Sequence, residues 1–255
     1  MPLLLIIALT FCPAASATIV HTIGIARDTA NDAMLYIEHH VYLPSGEHRV
    51  RYISPQGTLL AERSIRYPRL PQHPEILHRV DGDRAVRIAY EDGRMVMTTH
   101  RDDNEALTYE KPLTNDLIID AGFDAFIRER WKDFNANPVQ RFELVVAGQR
   151  RSLAVEITRT RTIGDETTFI VRPRNWVVGL FVPEASLVYD ADRRLVTYEG
   201  LTNLPLPGKP RVVIRFRHHR LQTQPAPFAA DGWPQDIEDE VIRLSAIRVK
   251  GVEID

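Results

Sequence analysis

The chain has little cysteine, no excess of positive charge and few long apolar runs. Cys12 is the single cysteine among 255 residues, which excludes an intramolecular disulfide and a zinc site built from several thiolates. Lys and Arg total 32 against 34 for Asp and Glu, whereas a dedicated nucleic-acid binder carries a clustered basic excess. Beyond the N-terminal segment, no apolar stretch approaches the ~20 residues that a membrane-spanning helix needs. We therefore expect no nucleic-acid partner and no transmembrane segment in the mature chain.

Familiar catalytic and cofactor motifs are absent as well. The sequence contains no Gly-x-Ser-x-Gly elbow, no His-Glu-x-x-His zinc motif, no phosphate-binding glycine loop and no dinucleotide-binding fingerprint. Its 13 glycines are spread among predicted turns, which disfavours a phosphate cradle. We accordingly assign no catalytic residue, no metal ligand and no cofactor from the sequence.

The N-terminus has the pattern of an export signal. Leu3–Phe11 is almost unbroken apolar sequence, and Ala15-Ser16-Ala17 then supplies a small-x-small cleavage site. We predict a secretory signal peptide over residues 1–17, cut after Ala17, and a periplasmic mature protein. A buried N-terminal strand and a misassigned start codon are the alternatives.

Cys12 adds a second hypothesis, a lipoprotein acylated at this cysteine. The preceding Leu9-Thr10-Phe11 fits a lipobox in part, but Phe11 stands where a small residue is expected. If cleavage occurs after Ala17 instead, the only cysteine leaves with the signal and the mature chain has no thiol.

A period of two dominates residues 33–218 and predicts a mainly β (α+β) fold. The segments flanking Asp92-Gly93 alternate apolar and polar residues, and this dipeptide is a strong two-residue hairpin signal. We predict a large curved antiparallel sheet, or open half-barrel, packed around one amphipathic helix over residues 18–220. The predicted strands are Met34–Leu43, Glu47–Ser54, Thr58–Tyr67, Arg84–Glu91, Arg94–His100, Val139–Ala147, Ser152–Ile163, Thr167–Arg172, Ser186–Tyr189, Leu195–Glu199 and Arg211–His218.

The helix is predicted between Asp120, as its N-cap, and Asn137-Pro138. Aromatic residues recur along one face at helical spacing: Phe123, Phe126, Trp131 and Phe134. We expect this aromatic stripe to lie against the concave side of the sheet. Asp124, Arg128 and Lys132 lie on the opposite face, which we expect to be solvated. A second helical turn or two is predicted over Asn175–Phe181.

Residues 221–255 are predicted to form a linker and a C-terminal tail. Gln222–Pro234 is rich in Pro, Ala and Gln, Asp236–Leu244 fits a short helix, and Ile247–Ile254 alternates as a last strand.

Histidine pairs and arginines are the remaining chemical candidates. His39-His40 lies within a predicted strand, so the two rings point to opposite faces and cannot chelate one ion together. The same holds for His218-His219. One ring of the first pair can still meet one ring of the second across neighbouring strands, where Glu38 or Glu199 would add a carboxylate to a metal site.

Two arginine pairs alternate along predicted strands. Arg159 with Arg161, and Arg215 with Arg217, are each expected on one face. They indicate either a basic stripe that binds anionic groups or long side chains that cover apolar surface on a solvent-exposed face of the sheet.

The order of a signal peptide, many antiparallel strands, one aromatic helix and more strands resembles the open half-barrel of periplasmic lipoprotein carriers. Residues 119–131, which begin Ile119-Asp120-Ala121-Gly122-Phe123-Asp124, and Leu187–Tyr198 are also similar to uncharacterised periplasmic domains of unknown function with this topology. The resemblance implies a curved sheet that wraps around helices and encloses an apolar cavity for acyl chains.

Three hypotheses of function follow. The first is a non-enzymatic envelope protein that binds a lipid or another apolar ligand. The second is an assembly factor that docks an envelope protein through its tail, for example by adding a strand to a partner's sheet. The third is an enzyme acting on envelope lipid or glycan, with His40, Glu38, Glu199 and His219 as candidates. For the first hypothesis, the predicted cavity-lining residues are Phe123, Phe126, Ile127, Trp131, Phe134, Trp176 and Phe181.

Overall fold

The computed structural model describes residues 19–80, 84–101, 105–179, 182–202 and 204–221, and most of them lie in strands. Residues 1–18, which include the predicted signal peptide, and residues 222–255 lie outside the described residues, so cleavage after Ala17, acylation of Cys12 and the last strand stay predictions. The strands are β1 Ile19–Asp28, β2 Met34–Tyr42, β3 His48–Ile53, β4 Leu59–Arg66, β5 Glu75–Val80, β6 Arg84–Glu91, β7 Arg94–His100, β8 Leu107–Pro112, β9 Leu117–Ile119, β10 Val139–Val145, β11 Ser152–Ile163, β12 Glu166–Pro173, β13 Ala185–Tyr189, β14 Leu195–Leu201 and β15 Arg211–Leu221. The helices are α1 Gly122–Glu129, α2 Trp131–Ala136 and the single turn α3 Trp176–Gly179.

All described strands belong to one 15-stranded sheet. Strands β1 to β8 follow one another as antiparallel neighbours, and so do β10 to β15. The two halves join where β1 pairs antiparallel with β15. The pairing of β9 with β10 is parallel, and α1 and α2 supply the crossover that a parallel pair requires. The prediction of a mainly β fold with a large antiparallel sheet is confirmed.

The sheet curls until its two edge strands lie close together. The edges β8 and β9 are consecutive in the chain and are joined by residues 113–116. Four residues span at most about 14 Å. Across this gap, Lys111 Nζ of β8 lies 2.6 Å from Glu143 Oε2 of β10. The edge strands β8 and β9 do not pair with each other, so the sheet is open, as predicted for a half-barrel. The closeness of the edges shows that it is strongly curved.

Two buried apolar clusters fill much of the interior. One joins side chains of β3 to β7, such as Ile65, Ile76 and Met97, to β9, β10 and β15. The other packs α1 and α2 against β10 to β13, with Phe126, Phe134, Phe142 and Phe169 in its centre. The expectation that the aromatic helix face lies against the concave side of the sheet is confirmed.

The predicted single helix is two helices, separated at Arg130. The backbone there leaves the α region, with φ −85° and ψ 17°, so α1 and α2 meet at a bend. Asp120 is not the N-cap either, because α1 begins at Gly122 and has no side-chain cap hydrogen bond. Asp120 instead adopts a positive φ of 41°, and its carboxylate turns to Arg63.

In the described part of the chain, no helix is long and apolar enough to cross a membrane.

Candidate ligand cavity

A cavity of about 540 Å³ lies inside the curved sheet, bounded on one side by α1. Its size falls within the ~300–1,000 Å³ range of small-molecule sites. Apolar side chains of both halves of the sheet form most of its wall: Val20, Val50, Ile65, Ile118, Leu144, Val146, Val155, Ile157, Val171, Leu187, Leu195, Ile214 and Phe216.

Several of these apolar side chains are only half-buried, among them Leu144, Val146 and Val171. The sheet thus holds apolar surface that its own packing leaves partly open. Removing such surface from water is favourable by about 25 cal/mol per Å², so the cavity wall can stabilise an apolar guest.

Of the five predicted lining residues whose side chains are described, one faces the cavity and four pack between the helices and the sheet. Phe123 lines the cavity. Phe126, Ile127, Trp131 and Phe134 are buried in the cluster between helices and sheet. Phe126 and Phe142 meet edge to face with their ring centroids 4.7 Å apart, and Phe134 and Phe169 do so at 5.2 Å. Trp176 lies in α3, where its side chain is not described, and Phe181 lies outside the described residues.

The polar face of α1 supplies cavity residues that were expected in solvent. Asp124 and Arg128 form an ion pair of 3.0 Å, and both line the cavity. Neighbouring residues of a helix are about 100° apart, so burying the Phe126 side against the sheet carries Asp124 and Arg128 to the cavity. The expected i,i+4 pair is confirmed, and so is the exposure of Arg128 and Lys132, whereas Asp124 is half-buried.

A hydrogen-bonded chain of three side chains lies on the cavity wall. Glu38 Oε2 is 3.0 Å from His40 Nε2, and His40 Nδ1 is 2.9 Å from His48 Nε2. The residues lie on the neighbouring strands β2 and β3, where His40 opposes Val50 and His48 opposes Tyr42. The ring of Tyr42 stacks on His48 with centroids 4.1 Å apart.

The Phe216 ring contacts the hydrogen-bonded side chains of the wall across Gly24. Its ring meets that of His40 edge to face at 5.6 Å, and it crosses β1 at Gly24, its register partner. A Cβ at Gly24 would lie 2.6 Å from the Phe216 ring, so this close approach requires glycine.

A buried ion pair closes the cavity between β4 and the segment after β9. Arg63 Nη1 donates to Asp120 Oδ1 at 2.7 Å, and both side chains are 4% exposed. Asp120 Oδ2 also accepts a hydrogen bond from the Ala147 backbone N–H at 2.8 Å. Because every buried polar atom of this carboxylate is bonded, the pair can be held inside an apolar wall.

The tyrosines of the wall are neutral hydrogen-bonding groups. Burial raises the pKa of Tyr42 and of Tyr52 above the ordinary phenol value, and it raises the pKa of Tyr67 to about 12. Burial likewise lowers the pKa of His48, with the positive charges of Arg63 and Arg128 adding to the effect. Near neutral pH, Tyr42, Tyr52, Tyr67 and His48 are therefore uncharged.

The structure brings together only some of the predicted polar candidates. His39 and His40 do point to opposite faces, because His40 lines the cavity whereas His39 stacks on His21 away from it. Glu199 pairs with Arg211 at 3.0 Å. The side chain of His219 is not described. Among the described residues, no group of three or more His, Cys, Asp or Glu side chains is arranged to hold a metal ion.

Of the two arginine pairs that were predicted to share a face of the sheet, only one does. Arg159 opposes Phe169 whereas Arg161 opposes Thr168, because a bulge inserts one residue between them. Adjacent residues of β12 face opposite sides, so Arg159 and Arg161 do not share a face, and that prediction is wrong. Arg215 and Arg217 oppose Ile25 and Ile23 on one face, as predicted.

Comparison with known proteins finds a likeness to a solved structure. No protein-family model matches the chain, and no curated protein matches it. Among solved structures, the chain is similar to a β-barrel-like protein of the domain of unknown function DUF1849 from Brucella abortus. The TM-score is 0.46 at 8% sequence identity, and the match covers 80% of this chain and 97% of that chain.

Proposed function

We propose that the protein is a non-enzymatic binding protein of the cell envelope, which holds a lipid or another amphipathic ligand inside its curved sheet. The single observation that carries the proposal is the cavity of about 540 Å³ with a wall that is mostly apolar and partly open. A filled core would leave no such space, because protein interiors are packed to crystal-like density.

The arrangement of the wall supports an amphipathic guest over a wholly apolar one. Most of its apolar part comes from β10 to β15 together with β1, whereas its charged and hydrogen-bonding side chains gather on β2 to β4 and α1: Glu38, His40, His48, Arg63, Asp124 and Arg128. A ligand with a chain and a polar end matches this division.

Saturable binding of an apolar fluorescent dye, N-phenylnaphthylamine, tests the proposal. Val171→Trp places a large ring into the cavity, and Ile170→Trp is the matched control, because the preceding residue of β12 faces the other side of the sheet. We expect one saturable site in the wild type and in Ile170→Trp and its loss in Val171→Trp, with all three proteins folded by circular dichroism. Equal dye binding by both variants would show that the dye does not occupy the cavity.

Export to the periplasm is a separate part of the proposal. It is supported by the apolar run Leu3–Phe11 and the small residues Ala15-Ser16-Ala17. Intact mass measurement of the full chain expressed in a Gram-negative host tests it. The proposal expects a mature chain that begins at Thr18 in the periplasmic fraction, and an uncleaved cytoplasmic chain would contradict it.

A further inference from the structure

The face of β1 to β3 that is turned away from the cavity is apolar and buried. Val20 and Thr22 of β1 and His40 of β2 line the cavity, so the residues that alternate with them point to the opposite, outer face of the sheet. Cross-strand register groups the buried side chains of this face into one surface, the outer patch: His21, Ile23, Ile37, His39, Val41 and Ile53. Ile23 is 1% exposed and Ile37 is 0% exposed, so the outer patch is buried as deeply as the interior.

No described helix or strand forms a layer over the outer patch. Its apolar side chains belong to neither of the two clusters that fill the interior. Among the described elements, β1 contacts chiefly β2 and β15, and β2 contacts chiefly β1 and β3, all of them neighbours within the sheet. Side chains of a strand stand roughly perpendicular to the sheet, so neighbouring strands alone do not bury them and a further layer must lie above. The burial of the outer patch therefore points to a covering segment.

The C-terminal tail, residues 222–255, starts beside the outer patch. Leu221, the last residue of β15, is the register partner of Ile19 at the start of β1. The predicted linker Gln222–Pro234 spans at most about 45 Å when extended, which exceeds the length of β1, about 33 Å. The residues that follow the linker can therefore reach any part of the outer patch.

The predicted tail helix Asp236–Leu244 has a surface that suits an apolar patch. Ile237, Val241 and Leu244 recur at i, i+4 and i+7, so they form one apolar stripe. Ile242 lies about 100° away from Val241 around the helix and falls outside the stripe. A helix with one apolar stripe must bury it against another element, and the outer patch offers an apolar surface within reach.

Charge favours the tail over the N-terminal segment as the cover of the outer patch. Arg215 and Arg217 of β15 lie on the same face of the sheet, opposite Ile25 and Ile23, and both are exposed. Residues 222–255 contain seven acidic and three basic side chains, whereas residues 1–18 contain no acidic side chain. The acidic tail therefore complements the positive charge beside the outer patch.

We propose that the C-terminal tail folds back over the outer patch of its own chain, with the stripe of Ile237, Val241 and Leu244 on the apolar side chains and its acidic residues toward Arg215 and Arg217. The tail thereby forms a second layer on the outside of the sheet. This inference concerns the face opposite the cavity, so it does not depend on ligand binding. A tail held in this way adds a strand to a partner's sheet only after its release.

The reactivity of single cysteines toward a maleimide tests the proposal in the full chain with Cys12→Ser. Val41→Cys reports on the outer patch, and Val145→Cys reports on the interior of the fold. We expect slow labelling of both. Ending the chain after Leu221 should accelerate labelling of Val41→Cys at least about tenfold, because a buried thiol reacts only through local opening, and should leave Val145→Cys slow.

Two point variants of the tail form a matched pair. Val241→Asn and Ile242→Asn place the same amide at neighbouring positions, but only Val241 lies on the stripe. Val241→Asn should accelerate labelling of Val41→Cys severalfold, whereas Ile242→Asn should not. Arg215→Glu with Arg217→Glu should also accelerate it, most strongly at low ionic strength.

Three outcomes overturn the inference. In the first, labelling of Val41→Cys is fast in the full chain, or stays slow when the tail is removed and becomes fast only when residues 1–17 are removed. In the second, Val241→Asn and Ile242→Asn have equal effects, or removing the tail accelerates Val145→Cys as much as Val41→Cys. In the third, native mass spectrometry shows a dimer and dilution to the monomer makes Val41→Cys reactive, which assigns the outer patch to a second copy of the chain.

Discussion

Removing the arginine of the buried ion pair should destabilise the protein strongly. Arg63→Met keeps most of the side-chain volume but leaves Asp120 as a charge that is 4% exposed, with the Ala147 N–H as its remaining hydrogen-bond donor. Breaking a buried pair from one side costs about 3–5 kcal/mol. For a domain of this size, each kcal/mol lowers the melting temperature by about 2–4 °C, so the expected shift is about 6–20 °C.

Urea unfolding followed by circular dichroism and tryptophan fluorescence measures this cost. The double variant Arg63→Met with Asp120→Asn should cost less than the sum of the single changes, because the second change removes the stranded charge. Arg94→Met is the control, since its ion pair with Glu110 is exposed and worth about 0–1 kcal/mol. A loss below about 1 kcal/mol for Arg63→Met, or strict additivity in the double variant, would refute the reasoning.

Three further predictions concern pH, chain length and packing. Burial, with nearby positive charge, lowers the pKa of His39 to about 3 and of His78 to about 4. Both rings are therefore neutral in the folded state, and as the pH falls below about 6.5 the unfolded chain takes up protons that the folded chain does not. As the pH falls from 6 to 4, the free energy of unfolding should decrease by up to about 1.4 kcal/mol per pH unit for each ring. In urea titrations, His78→Gln should reduce this slope. An unchanged slope would contradict a neutral His78 in the folded state. In calorimetry, the affinity for straight-chain alkanols should rise about fourfold for each added methylene until the cavity is full. An affinity that does not change with alkyl length would show that the alkyl chain stays in solvent. Gly24→Ala should lose about 1–3 kcal/mol in thermal unfolding because the new methyl group meets Phe216, and adding Phe216→Ala should restore part of it unless the crowding is elsewhere.

Strands with alternating faces and strong turns were predictable from the sequence. Strands β6 and β7 have their predicted bounds, and Asp92 and Gly93 take the positive φ values of 46° and 75° that a two-residue hairpin turn needs. The bounds of β11 also agree. In each case the local pattern and the tertiary environment favour the same structure.

The strands that the sequence did not reveal lack that alternation. β1 is buried on both faces, so its apolar and polar residues show no simple period of two. β9 has three residues, all buried, and the edge strand β8 is exposed or half-buried along its length. β5 is short and follows a proline-rich segment. Their pairing partners, rather than their own residues, decide that they are strands.

Neither the cavity nor its residues could be derived from the sequence, because a ligand cavity and a filled core are both lined by apolar side chains. Helical periodicity identifies the aromatic stripe but not which of its members meet the sheet, so Phe126 and Phe134 looked equivalent to Phe123. His48 gave no signal of its own, because its role depends on the register that places it beside His40 and Tyr42. Cross-strand register is set by the whole sheet and cannot be derived from one segment.

Methyl NMR of isoleucine-labelled protein titrated with dodecanol tests the central claim most directly. Ile118, Ile157 and Ile214 line the cavity, whereas Ile23 and Ile37 are equally buried but do not. We expect saturable shifts of the first three methyl signals at one equivalent of ligand, with the other two unchanged. Shifts confined to Ile23 and Ile37, or none in either set, would contradict a ligand site inside the sheet.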